Sequence, residues 1–144
     1  MSSPPFDATI DLAPRASLRA LTLLFWLHTA ALVGMLLALR SGPVLAAFAA
    51  LVALSWIWTR RHPVFGFGPR ALTRLTWHRE GSWTLHDASG ASHEAELLGN
   101  SLIHDWLLVL NFRLKSGGSR SRALVGDELE PEQFRRLRAR LKLV

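Results

Sequence analysis

The fold of this chain is decided by two apolar runs, ALTLLFWLHTAALVGMLLAL at residues 20–39 and VLAAFAALVALSWIWT at residues 44–59. Within them, His28 is the only ionisable side chain. A transmembrane helix needs about 20 mostly apolar residues to cross roughly 30 Å of hydrocarbon. Between the runs, Gly42 and Pro43 suit the end of one helix and the first turn of the next. The sequence therefore predicts a transmembrane helical hairpin over residues 16–61.

Two other interpretations of the first run stay open, a cleaved signal peptide and a buried helix of a soluble bundle. The apolar region of a signal peptide is usually about 7–15 residues long and ends at a small-residue cleavage site. This run is longer, and a second run follows it at once. A soluble bundle would need a large partner surface for both helices, which the rest of the chain does not supply. The membrane hairpin is the favoured interpretation.

Positive charge is distributed unevenly around the hairpin in a chain of net charge +6. The turn between the runs carries Arg40, whereas the outer flanks carry Arg15, Arg19, Arg60, Arg61, Arg70, Arg74 and Arg79. Lys and Arg near membrane ends mark the cytoplasmic side, so we expect both termini in the cytoplasm. At the end of the second run we expect a membrane anchor of interfacial tryptophans and snorkelling arginines, formed by Trp56, Trp58, Arg60 and Arg61.

The residue types offer no constellation for catalysis. There is no cysteine, which excludes disulfides, thiolate nucleophiles and cysteine-based zinc sites. The six histidines lack metal-ligand spacing, although His78 and His86 would meet if they lay opposite each other in a hairpin. Inside the first run, His28 is a candidate functional residue, but a hydrogen bond across the hairpin is the preferred interpretation. We therefore expect a protein that is not an enzyme and has no catalytic residue, metal or cofactor.

After residue 71 the apolar pattern changes from helical to alternating. Five short strands separated by glycine-containing turns predict an antiparallel sheet. One face of the strongest strand carries Trp106, Leu108, Leu110, Phe112 and Leu114. A final helix starts at Pro131 and has an apolar stripe of Phe134, Leu137 and Leu141.

The predicted organisation is that of an α+β membrane protein. We expect a flexible lead-in at residues 1–15, the transmembrane helical hairpin at 16–61 and a linker at 62–70. A cytoplasmic β-rich domain, a small antiparallel sheet with one C-terminal helix, then occupies residues 71–144.

Basic residues dominate the candidate binding surface of this domain. The final helix could be a solvated cap on the sheet, contact anionic headgroups or present a docking face to an acidic partner protein. Nucleic acid is not an expected ligand, because the paired exposed aromatics of RNA-binding sheets are lacking. By charge and expected exposure, the candidate partner-binding residues are Arg120, Arg122, Asp127, Arg135, Arg136 and Arg138.

A series of short motifs follows the hairpin in a particular order. They are Leu72-Thr73-Arg74-Leu75, Gly81-Ser82-Trp83-Thr84-Leu85, Asn111-Phe112-Arg113-Leu114-Lys115-Ser116-Gly117-Gly118, Leu124-Val125-Gly126-Asp127-Glu128 and Gln133-Phe134-Arg135-Arg136-Leu137-Arg138. With the hairpin before them, they resemble the CptA/YgfX family, the membrane-bound toxin component of a proposed type IV toxin–antitoxin system. The resemblance covers about residue 15 to the end, and the lead-in and residues 65–68 depart from the pattern.

The resemblance implies a bacterial inner-membrane protein whose cytoplasmic domain binds other proteins. The implied partners are the succinate dehydrogenase assembly (flavinylation) factor, cast as the antitoxin, and the cytoskeletal proteins FtsZ and MreB, whose polymerisation the toxin would inhibit. The family brings no catalytic residues with it. Two alternative functions stay open, a PH-like lipid-binding module at the membrane surface and a respiratory-complex assembly factor.

Overall fold

The computed structural model describes residues 9–143, in which two long apolar helices are followed by an antiparallel β-sheet and a C-terminal helix. The predicted α+β class is therefore confirmed. The helices are α1 (Leu18–Ala38), α2 (Gly42–Thr59) and α3 (Pro131–Leu141). The strands are β1 (Ile10–Leu12), β2 (Leu72–Trp77), β3 (Trp83–Asp87), β4 (Ser92–Leu97), β5 (Leu102–Ile103), β6 (Leu108–Leu114) and β7 (Ser119–Leu124).

The first two helices form the predicted hairpin, and both are long and apolar enough to cross a membrane. Pro43 lies in the first turn of α2, where its missing N–H costs no helical hydrogen bond. The half-buried stripe of α2 consists of Leu45, Ala49, Val52, Trp56 and Thr59, whereas the other alanines of this helix are exposed. The alanine-rich side is therefore not the side that packs on α1.

All strand pairs are antiparallel, and their neighbours run in the order β1, β2, β3, β4, β6, with β5 and β7 also paired to β6. Strand β1 precedes the hairpin in the chain and pairs with β2 after it, opposite Leu75–Trp77. The prediction of a flexible lead-in is wrong for Ile10–Leu12, since Leu12 is buried in the core. Residues 1–8 of that predicted lead-in lie outside the described residues.

The core lies between the sheet and α3. Trp77 and Trp83 stack with ring centroids 4.8 Å apart. The predicted apolar stripes are confirmed, because Leu108, Leu110, Phe112, Leu114, Phe134, Leu137 and Leu141 are all buried. Trp106 is the exception: β6 begins only at Leu108, and the Trp106 side chain is 59% exposed.

The predicted linker after α2 contains a single 3₁₀ turn, Pro63–Phe65, which packs against β7. Gly66 ends this turn with a φ of 92°, a left-handed conformation that glycine adopts without steric cost. The chain between the hairpin and the sheet is therefore held against the sheet.

Candidate functional site

The outer side of α3 carries two of the predicted partner-binding arginines in an exposed position. Arg135 Nη2 lies 2.8 Å from Glu132 Oε2, and Arg136 Nε lies 3.0 Å from Oε1 of the same carboxylate. The hydrogen bond from Arg136, together with the Arg135 charge, holds the pKa of Glu132 below its ordinary value. Because one carboxylate serves two guanidinium groups, this part of α3 retains a net positive charge.

Further along α3, Arg138 reaches the loop between β5 and β6. Its Nη1 donates to the Asp105 carbonyl oxygen at 2.9 Å and lies 3.2 Å from the Asp105 carboxylate, which is also 3.4 Å from Lys142 Nζ. Trp106 follows in the same loop, with its ring edge-to-face on His104 at 5.6 Å. We call the set Asp105, Trp106, Arg135, Arg136, Arg138 and Lys142 the α3 face.

Strand β7 places the predicted residues Arg120 and Arg122 on the inner side of the sheet. They lie opposite Phe112 and Leu110, which belong to the core. Arg120 is half-buried, and Arg122 has no exposed surface. The expected exposure of Arg122 is therefore wrong, because the alternation of β7 puts this side chain on the same face as Leu124.

The buried guanidinium of Arg122 is packed between the sheet and the chain that enters and leaves the hairpin. Its Nη2 donates to the carbonyl oxygen of Arg15 at 2.6 Å, while Nε and Nη1 have no hydrogen-bond partner among the described residues. The same group lies directly over the Cα of Gly66, where a Cβ would overlap it. Burial lowers the pKa of Arg122, and the charge of Glu128 offsets part of that effect.

Asp127, another predicted partner-binding residue, instead caps the start of α1. Its carboxylate accepts hydrogen bonds from the Ser17 hydroxyl at 2.7 Å and from the Arg19 N–H at 2.9 Å. Ser17 Oγ in turn accepts from the Ala20 N–H at 2.9 Å. Burial acts to raise the pKa of Asp127, but these hydrogen bonds outweigh it and the pKa lies below its ordinary value. This side chain serves the junction between α1 and the sheet domain.

A buried carboxylate completes this junction. Glu128 accepts hydrogen bonds from the backbone N–H groups of Val125 and Gly126, and its carbonyl oxygen accepts from the Arg15 N–H at 2.9 Å. The start of α1 is thus bonded to the segment after β7, and the turn after α2 is packed on β7 itself. We call this arrangement the junction; its members are Arg15, Ser17, Gly66, Arg122, Asp127 and Glu128.

The four predicted anchor residues occupy two different environments. Trp56 faces α1, with its ring edge-to-face on Phe25 at 5.9 Å and on His28 at 5.5 Å. Trp58, Arg60 and Arg61 are exposed at the end of α2. The exposure of these three side chains is compatible with the predicted anchor, which stays a prediction.

His28 and His78 each lie within hydrogen-bonding distance of a hydroxyl group. His28 Nδ1 donates to the Leu24 carbonyl oxygen at 2.7 Å, and Nε2 lies 3.1 Å from Ser55 Oγ, which confirms the predicted bond across the hairpin. His78 lies 2.7 Å from Thr84 Oγ1 and does not meet His86, because His86 is opposite Arg74. Within residues 9–143, no three His, Asp or Glu side chains are grouped as metal ligands.

Similarity to known proteins extends over nearly the whole chain. Residues 8–144 match a family described as the membrane-bound toxin component of a toxin–antitoxin system, a range that includes β1, the hairpin, the sheet and α3. No curated protein and no solved structure matches the chain. Membership in this membrane-bound family agrees with the two candidate membrane spans, α1 and α2. The chain belongs to the family of membrane-bound toxin components of toxin–antitoxin systems.

Proposed function

We propose that this chain is a bacterial inner-membrane toxin that acts by binding other proteins rather than by catalysis. Family membership implies an antitoxin as a protein partner. The observation that carries the proposal is the α3 face, where the 59% exposed Trp106 directly follows Asp105, the residue that Arg138 contacts. Exposed Trp and Arg are the residue types that contribute most to protein–protein affinity.

The charge of the α3 face favours an acidic partner surface. Arg135, Arg136, Arg138 and Lys142 provide four cations, and the carboxylates that they contact are those of Glu132 and Asp105. Such an excess attracts acidic surfaces and accelerates their association. In this proposal the α3 face binds the succinate dehydrogenase flavinylation factor as antitoxin, and FtsZ or MreB as targets of the toxin.

The orientation that this function needs is supported by the arginines around the hairpin. Arg15, Arg19, Arg60 and Arg61 lie at the end of the hairpin that meets the sheet domain, whereas Arg40 lies at the turn. Positive charge favours the cytoplasmic side. Both termini and the sheet domain would then lie in the cytoplasm, where soluble proteins reach the α3 face.

A binding titration tests the proposal. The full-length chain in nanodiscs is titrated with the purified flavinylation factor, and separately with FtsZ and MreB, using the wild type, Trp106→Ala and Arg135→Gln. The matched control is Arg113→Gln, an exposed arginine on β6 outside the α3 face. We expect saturable binding that weakens about tenfold in Trp106→Ala, as for an interface hot spot, and is unchanged in Arg113→Gln. Absence of binding to all three proteins would refute the proposed partners.

The two alternative functions predict different results. A PH-like lipid-binding module would bind anionic vesicles through the α3 face, and Arg135→Gln would weaken that binding. An assembly factor would co-purify with respiratory-complex components, and its overproduction would not slow growth.

A further inference from the structure

We infer that the cytoplasmic-side end of α2 binds one phospholipid with an anionic headgroup. A cleft of about 370 Å³ lies there, separate from the α3 face and from the junction. It is lined by Leu54, Ile57, Trp58, Arg61, His62 and Pro63. This site concerns the lipid that surrounds the protein, so it stands independently of the proposed protein partners.

The lining of the cleft changes from apolar to cationic along the helix. Leu54 and Ile57 lie within α2, and Arg61 lies just beyond its end. At 1.5 Å per residue, Leu54 and Arg61 are separated by roughly 10 Å along the helix axis. The apolar part of the cleft therefore lies beside acyl chains when the cationic end is at headgroup depth. The apolar part of the cleft thus matches the acyl chains of a phospholipid, and its cationic end matches the phosphate.

The polar end of the cleft has donors but no acid. Among residues 9–143, no carboxylate forms an ion pair with Arg61. The Nδ1 atom of His62 accepts a hydrogen bond from the Val64 N–H at 3.4 Å, which leaves the ring proton on Nε2. Arg61 and His62 can thus both donate to phosphate oxygens, and the guanidinium favours a headgroup with net negative charge.

Trp58 gives the cleft an aromatic wall. Its ring packs on the His62 ring with centroids 4.8 Å apart, and its side chain is 68% exposed. Since His62 also contacts the Phe65 ring at 6.4 Å, the wall is held from the side of the sheet domain. Leu54 and Trp58 lie four residues apart on one face of α2, so an acyl chain lying along the helix in the cleft would contact both.

Native mass spectrometry of the full-length protein tests this site. The protein is released from mixed micelles that contain equal amounts of phosphatidylglycerol and phosphatidylcholine, and the retained lipids are counted. The variants are Arg61→Gln, Arg61→Lys and Trp58→Ala, and the matched control is Arg40→Gln at the opposite end of the hairpin. Unfolding by heat in the same detergent checks that each variant is folded.

We expect the wild type, Arg40→Gln and Arg61→Lys to retain one phosphatidylglycerol in preference to phosphatidylcholine. Arg61→Gln should lose about fivefold of that preference, the contribution of one arginine at an anionic surface. Trp58→Ala should retain less of both lipids, and inorganic phosphate should not displace the bound lipid. Equal retention of the two lipids by the wild type, an equal loss in Arg40→Gln, or displacement by phosphate alone would overturn the inference.

Discussion

At Gly66, a buried guanidinium occupies the space that a side chain would need. The residue has a φ of 92°, and a Cβ there would lie 2.7 Å from Arg122 Cζ. Arg122 is fully buried, so its side chain has no neighbouring solvent space into which it could move. Its Nη2 donates a hydrogen bond to the Arg15 carbonyl oxygen. The absence of a side chain at Gly66 is therefore what lets the chain leaving α2 pass close to β7.

Alanine substitutions at Gly66 and Gly90 should distinguish the steric overlap with Arg122 from the cost of the left-handed backbone alone. Gly90 has a similar φ of 89°, but a Cβ there meets nothing within 4 Å. Gly90→Ala should destabilise the protein by roughly 1–2 kcal/mol through its left-handed backbone alone. Gly66→Ala should cost more, because it also displaces Arg122. Thermal unfolding of both variants in detergent measures the difference, and equal losses would contradict the role given to Arg122.

Asp87 should make the sheet sensitive to acid. The Ser89 hydroxyl donates to its carboxylate at 2.6 Å, the His93 ring lies 3.2 Å from it, and backbone N–H groups add to these bonds. The pKa of Asp87 is lowered to about 2, and the Ser89 hydrogen bond is the largest cause. Burial of the carboxylate opposes this effect. The unfolded value is about 3.9, so this stabilisation is complete above the unfolded pKa and is lost as the pH falls toward 2.

The test of this acid sensitivity is Asp87→Asn. Removing the carboxylate should lower stability at neutral pH and flatten its decline between about pH 4 and pH 2. Ser89→Ala, which deletes the leading hydrogen bond, should raise the folded-state pKa of Asp87 toward the unfolded value, so that the decline is smaller and ends at a higher pH. Unfolding midpoints measured across this pH range check both variants, and an unchanged pH profile in Asp87→Asn would exclude Asp87 as its source.

Individual side chains were only partly predictable from the sequence. The alternation of β6 identified its buried face because every member of that face from Leu108 onward is apolar. The burial of Arg122 was not predicted by the same reasoning, because a charged residue on a short strand is usually solvated. A signal was present, since Arg122 and Leu124 share a face of β7. The role of Asp127 could not be predicted, because its hydrogen-bond partners lie about 110 residues away in the chain.

Among the elements, the two hairpin helices begin in different ways. α1 begins at the Ser17 cap, whose hydroxyl accepts from the Ala20 N–H and donates to Asp127. α2 begins at Ser41, whose side chain makes no capping hydrogen bond. The start of the first helix is therefore hydrogen-bonded to the sheet domain through Asp127, whereas the start of the second helix has no side-chain cap.

The two caps provide a matched pair of substitutions. Ser17→Ala should destabilise the protein by about 0.5–2 kcal/mol, the usual cost of losing a capping hydrogen bond. Ser41→Ala should have little effect, because no such bond is lost. Unfolding midpoints in detergent compare the two variants. A loss in Ser41→Ala as large as that in Ser17→Ala would contradict the described capping.

Element types were easier to predict than their partners. The lengths of the apolar runs and the alternation after residue 71 predicted two long helices, five strands and a terminal helix. Strands β1 and β5 were missed because three and two residues carry too short a pattern. The packing side of α2 does not follow from its alanines. Small residues favour close helix contacts in lipid, but here larger side chains such as Val52 and Trp56 form the half-buried stripe.

For the whole molecule, the hairpin is an insertion into the sheet domain. The chain forms β1, leaves through α1, returns through α2 and continues into β2, which pairs with β1. The junction holds the start of α1 and the turn after α2 against β7 and the segment that follows it. The membrane hairpin and the α3 face thus belong to one continuous packing arrangement, which would hold a protein-binding surface at a defined place beside the membrane.

The central claim, that a membrane-held α3 face carries the toxin activity, is tested most directly by growth. Cells produce the full-length chain as wild type, as Trp106→Ala with Arg135→Glu and Arg136→Glu, or as Arg113→Glu, with membrane levels matched by immunoblot. We predict that the wild type and Arg113→Glu slow growth and that the α3-face variant does not. Growth inhibition by the α3-face variant equal to that by the wild type would contradict the account.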